Sequence, residues 1–240
     1  MKAFLNWSGG KDAALCLHTL SGTGPRIDAL VTTISNGRVS MHGVRKELIE
    51  KQAASIGVPV RFIELPDAPG METYEHAIHE MNLQLKEEGF THAVSGDIFL
   101  DDLKQYRETL YGKDGLSTLF PLWKAEPKEL LDVFFEEGFK AIIVAVNGSH
   151  LPASCSGEML DPVFINALPP GVDLCGENGE YHSFVFDGPV FTNPISFTKG
   201  ATISKTYPFP GGEEKSGFKK AEKELTFYFT ELLDEHFTFV

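Results

Sequence analysis

The segment Ser8-Gly9-Gly10-Lys11-Asp12 lies between an apolar run, Lys2 to Trp7, and a stretch in which Ala13, Ala14, Leu15, Leu17 and Leu20 recur at helical spacing. A buried strand that passes through two glycines directly into a helix is the opening unit of an α/β domain, and few other folds accommodate it. The glycines let the backbone approach a ligand closely, and the N–H groups and dipole at the start of a helix favour a bound anion. Ser8 adds a hydroxyl and Lys11 a compact positive charge. Asp12 stands among groups that hold negative phosphates, so it reads as a Mg²⁺ partner or as a clamp on the turn.

The pattern downstream repeats the unit. Ile27 to Ser35 is a β-branched run ending at a turn at Gly37, and Val44 to Ile56 has helical spacing closed by Gly57 and Pro59. Val60 to Leu65 reads as a strand, Glu72 to Gly89 as a long helix and His92 to Ser95 as a further strand. Alternation of this kind predicts an α/β fold: a Rossmann-like parallel sheet with helices on both faces, and ligands at the carboxyl ends of the strands. After Pro121 the texture changes. A helix from Lys128 to Gly138 and a strand from Lys140 to Val146 lead into a Gly-, Pro- and Ser-rich region with short strands expected at Phe184 to Phe186, Pro194 to Phe197 and Thr226 to Phe229, and an exposed tip at Gly211 to Lys215. Residues 1–124 are therefore expected to form the nucleotide domain and 125–240 a smaller, substrate-facing α+β lobe.

Composition narrows the partners. The 240 residues carry a formal charge of −13, and no cluster of Lys and Arg marks a surface for a nucleic-acid backbone. No apolar stretch approaches the length of a membrane span, and the charge at Lys2 is followed at once by a core strand instead of a signal sequence, so a cytoplasmic protein is expected. The three cysteines, Cys16, Cys155 and Cys175, are too widely spaced for a Cys-x-x-C metal or cluster site. Cys16 reads as a core residue, Cys155 as incidental, and Cys175 abuts a charged motif.

That motif, Gly176-Glu177-Asn178-Gly179-Glu180-Tyr181-His182, gathers two carboxylates, an amide, a phenol and an imidazole between a Pro-rich loop and a strand, with two glycines that suit a close approach to a ligand. Its carboxylates could orient an amine, hold Mg²⁺ or accept a proton, against the plainer alternative of a solvated polar turn. Gly96-Asp97 ends a strand, where Asp97 could contact a metal, fix a loop or cap the next helix, and Tyr106-Arg107 follows with a guanidinium suited to phosphate or carboxylate. Met41-His42 follows the second strand, at a position bordering a base or an acceptor.

The first turn is not a Walker A loop, which is longer and places Ser or Thr after its lysine. It resembles the PP-loop of ATP pyrophosphatases, with Ala13 where that pattern usually has Ser. Taken with Ser40-Met41-His42, Gln52-Ala53 before Gly57, Gly96-Asp97-Ile98, Tyr106-Arg107-Glu108, Pro121-Leu122-Trp123, the strand at Gly138 to Val144, and the segment Gly176 to His182, it is similar to the diphthine-ammonia ligase family over nearly the whole chain. Met41-His42-Gly43-Val44 looks like the bacterial branch, and Asn178 stands where archaeal and eukaryotic members more often carry Gly. Because bacteria lack diphthamide, the resemblance implies the family chemistry and leaves open whether diphthine or another carboxylate is the acceptor.

The implied reaction adenylates a carboxylate with ATP and Mg²⁺, releases pyrophosphate and captures ammonia as an amide. The resemblance implies that Ser8, Gly9, Gly10, Lys11, Asp12 and Gly96 bind the nucleotide and that Asp12 and Asp97 hold the metal. Glu177, Glu180 and Asp97 are then the catalytic residues, and Met41, His42, Tyr106, Arg107, Asn178, Tyr181 and His182 contact the substrate. The acceptor would be a small-molecule or protein-borne carboxylate; a homodimer is left open. The alternatives are a non-catalytic nucleotide sensor of the same fold, or a PP-loop enzyme of sulfur or tRNA modification, the sulfur chemistry resting on Cys175.

Overall fold

A computed structural model describes residues 1–22, 24–208 and 224–234. The chain builds two sheets. The first contains β1 (Lys2–Asn6), β2 (Arg26–Ser35), β3 (Arg38–Val39), β4 (Val60–Leu65), β5 (His92–Val94) and β6 (Ser117–Leu119). Its parallel strands run in the spatial order β4-β2-β1-β5-β6. The short β3 folds back antiparallel on the end of β2; because Ile34 pairs with both Val39 and Glu64, β3 occupies the place beyond the end of β1.

Four helices flank this sheet: α1 (Lys11–Leu20), α2 (Lys46–Ile56), α3 (Met71–Glu87) and α4 (Asp101–Lys113). Alternation along β1 sorts them into two layers. Ala3, Leu5 and Trp7 belong to the core formed with α1 and α2, whereas Phe4 belongs to a second cluster with Ile78 and Leu85 of α3 and Leu110 and Tyr111 of α4. Trp7 and Phe4 are almost fully enclosed, and burying a side chain of that size contributes about 1.5–3 kcal/mol. Gly57 ends α2 in the left-handed conformation, φ 78°, with its N–H returned to the Ala53 carbonyl, as its place in the sequence predicts.

Past β6 the architecture changes. After α5 (Pro127–Glu136) come β7 (Lys140–Asn147), β8 (Met159–Leu160), the short α6 (Pro162–Asn166), β9 (Tyr181–Asp187), β10 (Thr198–Pro208) and β11 (Glu224–Leu233). Every pairing of this second sheet is antiparallel. β7 is central, with β9 along one edge and β8 and then β11 along the other, and β10 outside β11. One apolar core continues from α1 and α2 into this sheet: Ala14 and Leu15 share it with Phe134, Ile142, Val144 and Phe184. No helix among the described residues is long and apolar enough to cross a membrane.

Two features differ from the sequence reading. Pro194 to Phe197 is not a strand; Phe197 packs edge-on against Phe184 and Phe186, and the strand begins at Thr198. Strand β6, which completes the first sheet, was not anticipated, whereas α4 is the helix expected after Asp97. The tip at Gly211 to Lys215 lies outside the described residues.

Candidate active site

A cleft of about 290 Å³ opens at the carboxyl ends of β1 and β5. Strand order places it there: β2 and β5 lie on opposite sides of β1, so the connections leaving β1 and β5 diverge and open a crevice. The second sheet supplies the remaining wall, through β9 and the loop before it.

The turn at Ser8 to Asp12 forms the floor. Gly9 has φ +80°, and a methyl group there would stand 2.7 Å from Ile49 Cδ1, so glycine is required on both counts. Its carbonyl accepts from Val185 N at 2.9 Å and from Gln52 Nε2 at 3.1 Å. Gln52 is fully enclosed and uses its whole amide: Oε1 accepts from Trp7 Nε1 at 2.8 Å, and Nε2 donates also to the Val185 carbonyl at 2.6 Å. Lys11 N donates to Ser183 Oγ at 3.1 Å. Thus β9, from the second sheet, is hydrogen-bonded directly to the turn.

The Lys11 side chain is buried and its ammonium lies 2.8 Å from Asp12 Oδ2 and 5.4 Å from the centre of the Tyr181 ring. Burial alone would lower its pKa, but Asp12, Tyr181 and Cys175 together outweigh it and hold the ammonium charged. Asp12 Oδ1 is enclosed without a hydrogen-bond partner among the described residues.

Asp97, at the end of β5, is buried, and its two oxygens lie 3.1 and 2.8 Å from Arg107 Nε on α4. It does not cap α4, whose N-cap is Leu100. Gly96 lets this strand end press on the first turn of α1: a methyl there would fall 2.9 Å from the Asp12 carbonyl. The adjoining peptide carries the link to the acidic motif, since Ile98 N donates to Glu177 Oε1 at 2.8 Å. Burial lifts the Glu177 carboxyl to about 7.

The acidic motif separates into one carboxylate on the cleft wall and one behind it. Glu177 lines the cleft. Glu180, expected to handle ammonia beside it, is 1% exposed, is not part of the cleft wall, and accepts from Asp173 N at 3.0 Å and Asn178 Nδ2 at 3.2 Å. Asp173 Oδ2 in turn accepts from Cys175 N and Glu177 N at 3.1 and 2.8 Å. Tyr181 donates to the Leu174 carbonyl. The segment from 173 to 180 is a carboxylate-braced loop that presents Glu177, and a solvated polar turn it is not.

Of the expected substrate contacts, His42, Arg107, Tyr181 and His182 line the cleft, and Met41, Tyr106 and Asn178 do not. Met41 is 60% exposed, and Tyr106 donates to Met71 Sδ on α3. Cys175 reaches the cleft; burial pushes its thiol to about 12 and its Sγ lies 3.5 Å from the Pro127 carbonyl, surroundings that disfavour the thiolate on which sulfur transfer would rest. The functional neighbours the sequence reading left without a role are Gln52 and Ser183. Ser183 follows the acidic motif by a single residue, yet only its pairing across the two sheets shows what it does.

Models of the N-terminal and C-terminal domains of diphthamide synthase match residues 1–118 and 126–209. The chain belongs to the diphthamide synthase family. It is 26% identical over 225 residues to the diphthine–ammonia ligase of Danio rerio, an alignment covering 82% of this chain and 86% of that relative. Proteins of the same name from Bos taurus and Homo sapiens are each 30% identical over 124 residues, covering 49% of this chain and 46% of the relative, so those two alignments span less than half of either protein.

Membership of this ligase family implies use of ATP. Among the described residues no three His, Cys, Asp or Glu side chains converge to cage a metal. Mg²⁺ binds through one or two carboxylates and completes its shell with phosphate and water, and two carboxylates of the cleft fit that role: Asp12 Oδ1 and Asp97 Oδ2 are both enclosed without a hydrogen-bond partner among the described residues. Asp97 Oδ2 also lies 2.8 Å from Arg107 Nε, so it would share its charge with that guanidinium.

Proposed function

We propose that this diphthamide synthase relative is an AMP-forming carboxylate–ammonia ligase. The observation that carries the reading is the convergence in one cleft of an anion-holding turn, a buried Arg107–Asp97 pair and a single carboxylate, Glu177, tuned near neutrality. The Ser8 to Asp12 turn receives the β and γ phosphates of ATP. Val31, Ile63 and Ile78, with Tyr74, give the cleft an apolar side suited to a planar base. Arg107 holds the acceptor carboxylate.

In the first step a carboxylate oxygen attacks the α-phosphorus, the bond to the β-phosphate oxygen breaks, and pyrophosphate leaves on the turn. Developing charge is met by Lys11 and by the start of α1, groups fixed before the reaction begins. Mg²⁺, held through Asp12, would supply further neutralisation of the phosphates. In the second step ammonia attacks the acyl carbonyl, AMP departs, and Glu177 accepts the proton lost from nitrogen; a carboxyl poised near neutrality is suited to that transfer. Glu180, with Asp173, holds the loop that aims Glu177. The acceptor is a small-molecule or protein-borne carboxylate, and the net charge of −13 on the chain favours neither.

The test is incubation with Mg-ATP, ammonium and pooled carboxylic acids, following α-labelled nucleotide. AMP and pyrophosphate formed only when an acid is added is the expected result. Release of ADP, or tight nucleotide binding without turnover under any acid, would sink the ligase reading; the latter would favour a sensor.

A further inference from the structure

We infer that His42 and His182 are ligands of the terminal phosphates, forming a roof over the start of α1 in which one ring takes up a proton as the phosphates arrive. This rests on the ATP-dependent reading above and moves both histidines from the acceptor to the pyrophosphate end of the cleft.

The two rings come from different sheets and meet with centroids 4.6 Å apart, inclined by 37°. His42 lies in the loop after β3, with Nδ1 3.3 Å from the Ser40 carbonyl. That contact assigns the proton to Nδ1 and leaves Nε2 turned towards the turn, where a methyl built on Gly10 would stand 3.1 Å from it. The helix α1 starts at Gly10 with no side-chain cap. His182 Nε2 is enclosed and has no hydrogen-bond partner among the described residues. A histidine buried for structure alone would satisfy that nitrogen, because leaving it unmade is costly.

Charge selects the class of ligand. The titratable and charged groups that share the cleft with the pair are Lys11, Asp12, Asp97, Arg107, Cys175, Glu177 and Tyr181; Lys11 acts on both rings, and the Ser40 carbonyl accepts from His42. Burial, then Lys11, keeps His42 neutral, lowered to about 4 against the raising effect of the Ser40 carbonyl; burial, the neighbouring ring and Lys11 depress His182 as well. Ammonium placed here would meet the Lys11 charge. A pyrophosphate group reverses the sign of the local field, so protonation becomes favourable, and the closeness of the rings limits it to one.

Calorimetric titration with inorganic pyrophosphate near neutral pH, in two buffers of different ionisation enthalpy, counts the protons taken up on binding. The wild type is expected to take up roughly one proton more than the double variant His42→Gln/His182→Gln, each single variant keeping one ring to carry it. Each single variant should bind pyrophosphate about 10- to 100-fold more weakly. AMP, which lacks the terminal phosphates, should bind the wild type and every variant alike. Imidazole ¹⁵N spectra of the wild type test the same point without a substitution, one ring shifting to the protonated form when pyrophosphate is added. Equal proton uptake in the wild type and the double variant, unchanged affinity in the single variants, or two rings that stay neutral in the spectra, would overturn the inference. Acid-dependent AMP release without any histidine effect would sink this assignment alone, whereas histidine-dependent pyrophosphate binding without AMP release would sink the ligase reading and leave the assignment standing.

Discussion

The turn at residues 8–12 and the loop at residues 173–180 meet at the same cleft, and they are held in opposite ways. Neutral groups lock the turn: the Gln52 amide, the Ser183 hydroxyl and the Val185 peptide. Carboxylates brace the loop: Asp173, Glu177 and Glu180 each accept backbone or amide hydrogens. A neutral lock is indifferent to pH and to an arriving polyanion, as a phosphate floor requires. A carboxylate brace fixes the position of Glu177, while burial first, and then Asp12 and Asp97 across the cleft, keep that group basic enough to take a proton.

The sharpest way to test this division is Glu177→Gln. If the loop exists to present a base, turnover should fall by about 10²–10⁴-fold with nucleotide binding retained. In the wild type Glu177 is mostly protonated below about 7 and ionised above it, so rate against pH should climb through that value and level off, and the variant should lose that limb. A flat wild-type profile would break the comparison from the loop side.

Gln52→Leu attacks the turn. It deletes three hydrogen bonds and strands the Trp7 indole N–H, so it should lower stability by about 3 kcal/mol in denaturant titrations, with loss of ATP affinity and little change in the pH profile. An unchanged midpoint would mean the turn is held by β9 alone. Asp12→Asn is expected to reduce kcat/KM for Mg-ATP by about 10- to 100-fold, with the dependence on Mg²⁺ concentration shifted upward; an unshifted dependence would leave Asp12 as a partner of Lys11 only.

The smallest effect concerns a third tie. Glu231 on β11 joins Arg38 and Arg45, at 2.8 and 2.5 Å, and Arg38 also donates to the Gly43 carbonyl beside His42. Burial raises the Glu231 carboxyl, but the two arginines outweigh it and its pKa lies below the ordinary value. Its contribution is therefore complete above the ordinary carboxylate range and disappears as pH falls through the lowered folded value. Glu231→Gln should cost about 1 kcal/mol near neutrality and flatten the acid limb of stability; an unaltered acid limb would remove this tie.

The first sheet was legible because its strands are buried on both faces and its helices are punctuated by glycine, so pattern and structure share one cause. The second lobe was less so. Around Phe197 the aromatic content marks burial, and a ring can be buried from a loop as well as from a strand. Glu177 and Glu180 share one motif, but a loop that turns back on itself places one on the cleft wall and the other behind it. Gln52 stands in one of the segments that carry the family resemblance and Ser183 in none, but the role of each comes from distant partners that no local spacing encodes.

The direct bond between Lys11 and Ser183 joins residues 172 positions apart. Such a contact closes a long chain loop, and its entropic cost is met only when both ends are already ordered. The phosphate turn precedes β9 in the chain, and its bonds to Ser183 and Val185 form only once β9 is in place. A nucleotide site built on that turn is therefore expected to be completed only when the second sheet docks.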